Sequence, residues 1–191
     1  MSRELAGRRR YPDKAGVDAH MAVQVHDHRA EPGPELAERF GLLWPRAVQA
    51  RRRRPMALRR IIVSSGDPSM PRFSIGYLLD IIYNRDLWMH RLDLARATGQ
   101  PFTLSGHDRL IVEQVVRDLA LGWPAAPVAL ELTGPAGGSW LIGSGEPSAF
   151  VRADAAACMR SLAGRDDDPP LELIDGDETA LALIRRARVV F

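Results

Sequence analysis

A single cysteine, Cys158, in a chain of 191 residues excludes a disulfide scaffold and any zinc ribbon built from several thiolates. Lysine is as scarce, because only Lys14 among the 26 basic residues is lysine. Such a bias fits a GC-rich genome and weakens any nucleic-acid reading built on arginine counts. No apolar run approaches the roughly 18 residues that span a bilayer, so no membrane partner is expected. Nor does the stretch Met1 to Arg10 hold the apolar core of a signal peptide. The expected compartment is a reducing cytosol.

What is present is an ordinary globular balance, 46% apolar and 26% charged, enough for one domain and a smaller appendage. Charge is uneven: residues 1–60 carry 14 basic and 7 acidic side chains, residues 61–191 carry 12 and 17. The clusters Arg8 to Arg10 and Arg51 to Arg54 lack aromatic interleaving and a recognition-helix pattern, so no nucleic-acid partner is expected.

Residues 1–16 read as loop, and Val17 to Val25 holds an apolar pattern too brief to assign. After the breaker Glu31-Pro32-Gly33-Pro34, helical spacing starts at Glu35, with a kink or break expected at Pro45. Ser64 to Arg72 reads as a loop. Ser74 is a predicted N-cap for a helix over Ile75 to Thr98, stopped by Gly99 and Pro101, and a second helix is predicted over about 107–121. Beyond Trp123-Pro124 a hairpin is expected from Val128 to Ile142, then a helix over 154–162 and a solvated linker at Asp166 to Pro170; the short apolar segment Leu171 to Ile174, a helix over 178–186 and a terminal strand at Val189 to Phe191 finish the chain. The fold class is therefore α+β, with a helical domain at 1–123 and a small α+β domain at 124–191.

On a wheel of 100° per residue, Leu79, Ile82, Asp86, His90, Asp93 and Ala97 share a stripe. Asp86 and His90 are one turn apart, so a carboxylate oxygen and an imidazole nitrogen can converge on one divalent ion. Asp93 is a candidate partner for the other ring nitrogen of His90. The alternative is a surface Asp–His ion pair, with Arg85, Arg91 and Arg96 solvated. Cys158, on an apolar helix face, reads as a small core residue. The Gly134 to Ser139 run reads as a hairpin turn rather than a phosphate loop, and His107 as exposed or capping.

The stretch Gly76 to Gly99, GYLLDIIYNRDLWMHRLDLARATG, resembles the signature of the mycothiol-dependent maleylpyruvate isomerase family of actinobacteria. Weaker similarity runs through Val17 to Val25, Pro45 to Arg54 and Leu132 to Gly138. The resemblance implies a DinB-like metal-binding helix bundle followed by a small α/β domain. It places the acidic metal ligand on Asp86 and a histidine ligand on His90, with zinc as the first choice of metal and mycothiol as the thiol cofactor. It leaves the catalytic and thiol-binding residues unassigned. The family's other histidine ligand belongs to a bundle helix ahead of the region matched by Val17, so the bundle is expected to be incomplete at its N-terminus, and the metal site with it unless His26 or His28 replaces that ligand.

The implied activity is metal-activated addition of a small-molecule thiol to an electrophilic substrate, or isomerisation of that substrate, with Arg85 or Arg91 neutralising a carboxylate on charge grounds. The alternative is a non-catalytic structural or binding module with an incomplete metal site. Its long helix would then expose an apolar stripe to be covered by another chain, for example in a homodimer, or by aggregation.

Overall fold

The computed structural model describes residues 10–14, 16–64, 71–165 and 170–191. Arg8, Arg9, residues 65–70 of the expected loop and the acids at 166–168 lie outside the described residues. The architecture is mixed α and β, and the chain divides into two units, Met1–Asp80 and Ile81–Phe191. The boundary expected at 123/124 falls inside the second unit, because the helix ending there packs on the strands that follow it.

In the first unit, α1 (Gly16–His28) takes up the Val17 to Val25 pattern, and α2 (Gly33–Arg52) follows the Pro-Gly breaker with Pro34 at its start. Of the kink or break expected at Pro45, the break is absent, since the helix runs through it. Proline removes the N–H that would bond Gly41, but Gly41 is exposed and water can satisfy its carbonyl. A single turn, α3 (Met56–Arg59), leads to a two-stranded ribbon, β1 (Ile62–Val63) and β2 (Phe73–Ser74), paired antiparallel. The Ser74 hydroxyl accepts from the Tyr77 N–H at 3.0 Å and so caps the short α4 (Ile75–Tyr77), as the sequence predicts. Arg59 reaches back to the Arg51 carbonyl at 3.1 Å and pairs with Asp80.

Helical geometry continues through a π turn at Leu78–Ile82 into α5 (Tyr83–Thr98). Gly99 ends it in the left-handed conformation, φ 66°, which suits glycine. The π turn adds residues to one turn and resets the wheel, so a 100° extrapolation from Leu79 to Asp86 fails. In the second unit the buried face of this segment is Ile82, Arg85, Trp88, Met89 and Leu92, while Asp86, His90 and Asp93 lie on its flank.

After α6 (Arg109–Leu121) come β3 (Val128–Thr133), β4 (Gly138–Ile142), β5 (Ala149–Asp154), α7 (Ala155–Leu162), β6 (Leu171–Gly176) and α8 (Glu178–Arg186). The sheet order is β4-β3-β5-β6. The β3–β4 hairpin is antiparallel with Leu130 opposite Trp140, β5 runs parallel to β3, and β6 antiparallel to β5. Alternation places Val128, Leu130 and Leu132, with Ala149, Val151 and Ala153, on the buried face against α6, α7 and α8. Gly176 has φ 94°, and a Cβ there would collide with the Ser148 carbonyl. The terminal strand expected at Val189 to Phe191 is not formed. The tail is held instead by the Val189 N–H donating to the Leu162 carbonyl at 2.9 Å and by Arg85 Nη1 donating to the Val190 carbonyl at 3.1 Å. Among the described residues no helix is long and apolar enough to cross a membrane.

Candidate functional site

The flank of α5 carries the candidate metal ligands. Asp86 Oδ1 and His90 Nε2 lie 3.3 Å apart, and both side chains are about half exposed, at 47% and 54%. The (i, i+4) spacing does this alone, since one helical turn stacks the two side chains. Two atoms bonded to one tetrahedral ion at about 2.0–2.1 Å are about 3.3–3.4 Å apart. The donor types and their separation thus fit two ligands of one divalent ion, and the exposure leaves room for further donors. Among the described residues, no group of three or more histidines, cysteines or carboxylates is poised to hold a metal. His20, His26 and His28 lie on α1 in the first unit, where His20 contacts Gln24 at 2.5 Å and His28 contacts Glu31 at 2.6 Å.

Asp93 does not take the place expected for it. Its Oδ2 is 3.9 Å from His90 Nδ1, beyond hydrogen-bonding range. Its two oxygens accept instead from Arg160 Nη1 at 2.8 Å and Arg165 Nε at 2.7 Å. Partial burial pushes the Asp93 carboxyl up, but the hydrogen bonds and charges of Arg165 and Arg160 outweigh it and hold the carboxyl below its usual range. These arginines sit 67 and 72 residues along the chain from Asp93, so no local sequence signal points to them.

Arg85 is neither solvated nor available to a substrate. It is fully buried, donating from Nη1 to Asp118 Oδ2 at 2.7 Å and to the Val190 carbonyl at 3.1 Å. A signal for this existed: Arg85 is at helical spacing from Trp88, Met89 and Leu92, all core residues. Arg91 lies over the Phe102 ring at 5.2 Å, with Nη1 4.0 Å from Asp108. Asp108 itself is buried and accepts from the Ser105 N–H, the Ser105 hydroxyl and Trp88 Nε1 at 2.7–3.0 Å. Burial raises its carboxyl, and these donors with Arg91 more than reverse that. The cluster ties the start of α6 to α5, with both Asp108 oxygens accepting hydrogen bonds.

Cys158 is 1% exposed, and burial, with the Asp154 charge adding to it, pushes its thiol up to about 12. A thiol so poor in thiolate is no nucleophile. His107 is exposed, and Gly134 to Gly137 forms the hairpin turn. No protein family, curated protein or solved structure matches the chain.

Proposed function

We propose that this chain is a metal-dependent protein of the mycothiol-dependent maleylpyruvate isomerase type, in which Asp86 and His90 are two ligands of a divalent ion, zinc first, on a DinB-like helical framework. The observation that carries the reading is the 3.3 Å separation of Asp86 Oδ1 and His90 Nε2 on an open helix flank. It is supported by the likeness of residues 76–99 to the family signature. When bound, the metal would lower the pKa of a small-molecule thiol such as mycothiol, ready for addition to an electrophilic substrate. Asp86 supplies negative charge to the site and His90 a neutral nitrogen donor. Arg85 positions both, because its bonds to Asp118 and Val190 fix the neighbouring turn of α5.

Zinc titration by calorimetry tests the reading. The chain should bind zinc, and His90→Ala and Asp86→Ala should each weaken binding by more than the roughly 10–100-fold typical of losing a group that only orients a ligand. Equal affinity in all three proteins would leave Asp86 and His90 as a surface ion pair worth about 0.3–0.5 kcal/mol.

A second reading, a non-catalytic binding module with an incomplete metal site, is favoured by one observation. The 20 residues of α2 include none that is buried, and Phe40, Leu42 and Leu43 are exposed. Apolar surface of that kind suits association. Indifference to zinc combined with concentration-dependent self-association in sedimentation would favour this reading.

A further inference from the structure

The first unit gathers unanswered positive charge where α2 ends. Arg52 is the last residue of α2, Arg53 and Arg54 follow it, and Arg60 follows α3; all four are exposed. Among the described residues none of these four side chains has a hydrogen bond or an ion pair. Arg59, beside them, is engaged by Asp80. The sequence has no acidic residue between Glu38 and Asp67. Glu38 stands on α2 roughly 21 Å before Arg52, 14 residues at about 1.5 Å each. That exceeds two screening lengths of about 8 Å in physiological salt. The carbonyls at the end of α2 return only about half a negative charge. The balance of these groups is strongly positive.

Apolar side chains stand among the charges, and they decide what kind of anion fits. Met56 is 62% exposed, Ile61 50% and Ile62 53%, all within residues 52–62. Nucleic acid bound as a single strand calls for rings that stack on its bases, and the sequence has no aromatic residue between Trp44 and Phe73. A bilayer of anionic lipid matches both halves of the segment. Its headgroups take the arginines, and the acyl boundary beneath them takes short apolar side chains. Either contribution alone binds weakly, and the two together hold a protein at the surface.

We propose that residues 52–62 are a docking surface for a bilayer rich in anionic lipid, with Arg52, Arg53, Arg54 and Arg60 at the headgroups and Met56, Ile61 and Ile62 at the acyl boundary. Such a contact lies on the membrane and needs no spanning helix. It belongs to the first unit and draws on neither Asp86 nor His90.

Co-sedimentation of the full chain with vesicles tests the surface, using phosphatidylcholine alone or with about one-third phosphatidylserine. At physiological salt the chain should bind the anionic vesicles, and the neutral ones about tenfold or more weakly. The triple variant Arg52→Gln, Arg53→Gln, Arg54→Gln should lose about 100-fold, or about 1 kcal/mol for each arginine at an anionic surface. Met56→Ser with Ile61→Ser should lose about tenfold on vesicles, through the apolar surface no longer buried. The same pair should leave binding to heparin, a polyanion with no apolar phase, unchanged. Every substituted side chain is exposed, so circular dichroism and melting curves should match those of the parent chain. Equal binding to both kinds of vesicle, or an arginine variant that binds as the parent does, overturns the surface. A Met56, Ile61 variant that keeps full vesicle binding overturns its lipid character and leaves a site for polyanions in general, nucleic acid or acidic protein among them.

Discussion

The two units bury side chains on very different scales. Among the described residues of the first unit only Ala19 is a buried apolar side chain, while the second unit holds a continuous core from Trp88 on α5 to Ile184 on α8. The first is mostly helix with apolar stripes open to solvent, and the second is a sheet covered on one face by helices. The difference teaches where packing decides structure and where local preference does. In the second unit side chains from α5, β3, β5, α7 and α8 interlock, so a change at one position is felt by many. In the first, a helix such as α2 rests on its own backbone bonds, the stacking of Phe40 on Trp44 and surface contacts such as Arg39 to Glu31.

The largest expected effect tests that contrast directly. Met159 is fully buried in the second unit, and Met159→Ala should cost about 2–5 kcal/mol through lost burial and a cavity. Leu43, 52% exposed on α2, should tolerate the same truncation within about 0.5 kcal/mol. Urea unfolding followed by calorimetry on both variants measures the pair. Equal losses would show that the α2 stripe is packed in solution and would end the comparison as drawn.

Next comes the ion pair at the centre of the second unit. Arg85 is 1% exposed at its side chain and Asp118 22%. Asp118→Ala would leave a buried guanidinium without its carboxylate, at a cost of about 3 kcal/mol. The first unit offers the control. Arg39 and Glu31 are paired at 2.5 Å on the surface, and Arg39→Ala should shift stability little, since exposed pairs are worth at most about 1 kcal/mol.

How much of this was legible depended on how local each cause was. Ser74 as N-cap, Gly99 as stop, the helix at Glu178–Arg186 and the β3–β4 hairpin all follow from short-range chemistry, and the structure has them where the sequence puts them. The strand β5 escaped because its buried positions are two alanines and Val151, while Phe150 points outward and blurs the alternation. Asp86 and His90 were visible as a pair because one helical turn suffices to bring them together. Neither expectation for Arg85, solvated or neutralising a carboxylate, has it buried, because a charged residue is rarely buried and the partners that make it tolerable, Asp118 and the Val190 carbonyl, lie 33 and 105 residues away. The diversion of Asp93 to Arg160 and Arg165 has the same origin, as does the tail that docks on Leu162 rather than extending the sheet.

The smallest effect separates the units by pH. Asp93 in the second unit and Glu31 in the first are both held below their usual carboxyl range: at Asp93 burial pushes upward and the combined hydrogen bonds and charges of Arg165 and Arg160 outweigh it, and at Glu31 the hydrogen bond to His28 leads. A carboxyl depressed in the folded state stabilises above its unfolded pKa, near 4, and that contribution is lost as pH falls through the lower, folded value. Asp93→Asn should therefore be less stable than the parent chain at pH 7, with the gap closing as pH drops below about 4. The two carboxylates are about equally shielded, but the partners of Asp93, Arg160 on α7 and Arg165 just beyond it, are far less exposed than His28 and Arg39 beside Glu31, so the Asp93 gap should persist in 0.5 M salt and that of Glu31→Gln should vanish there. Melting temperatures of the two variants at pH 3, 5 and 7, with and without salt, measure both gaps. A salt-erased Asp93 gap would place that cluster with the surface pairs of the first unit, and the line between the units would then follow apolar packing alone.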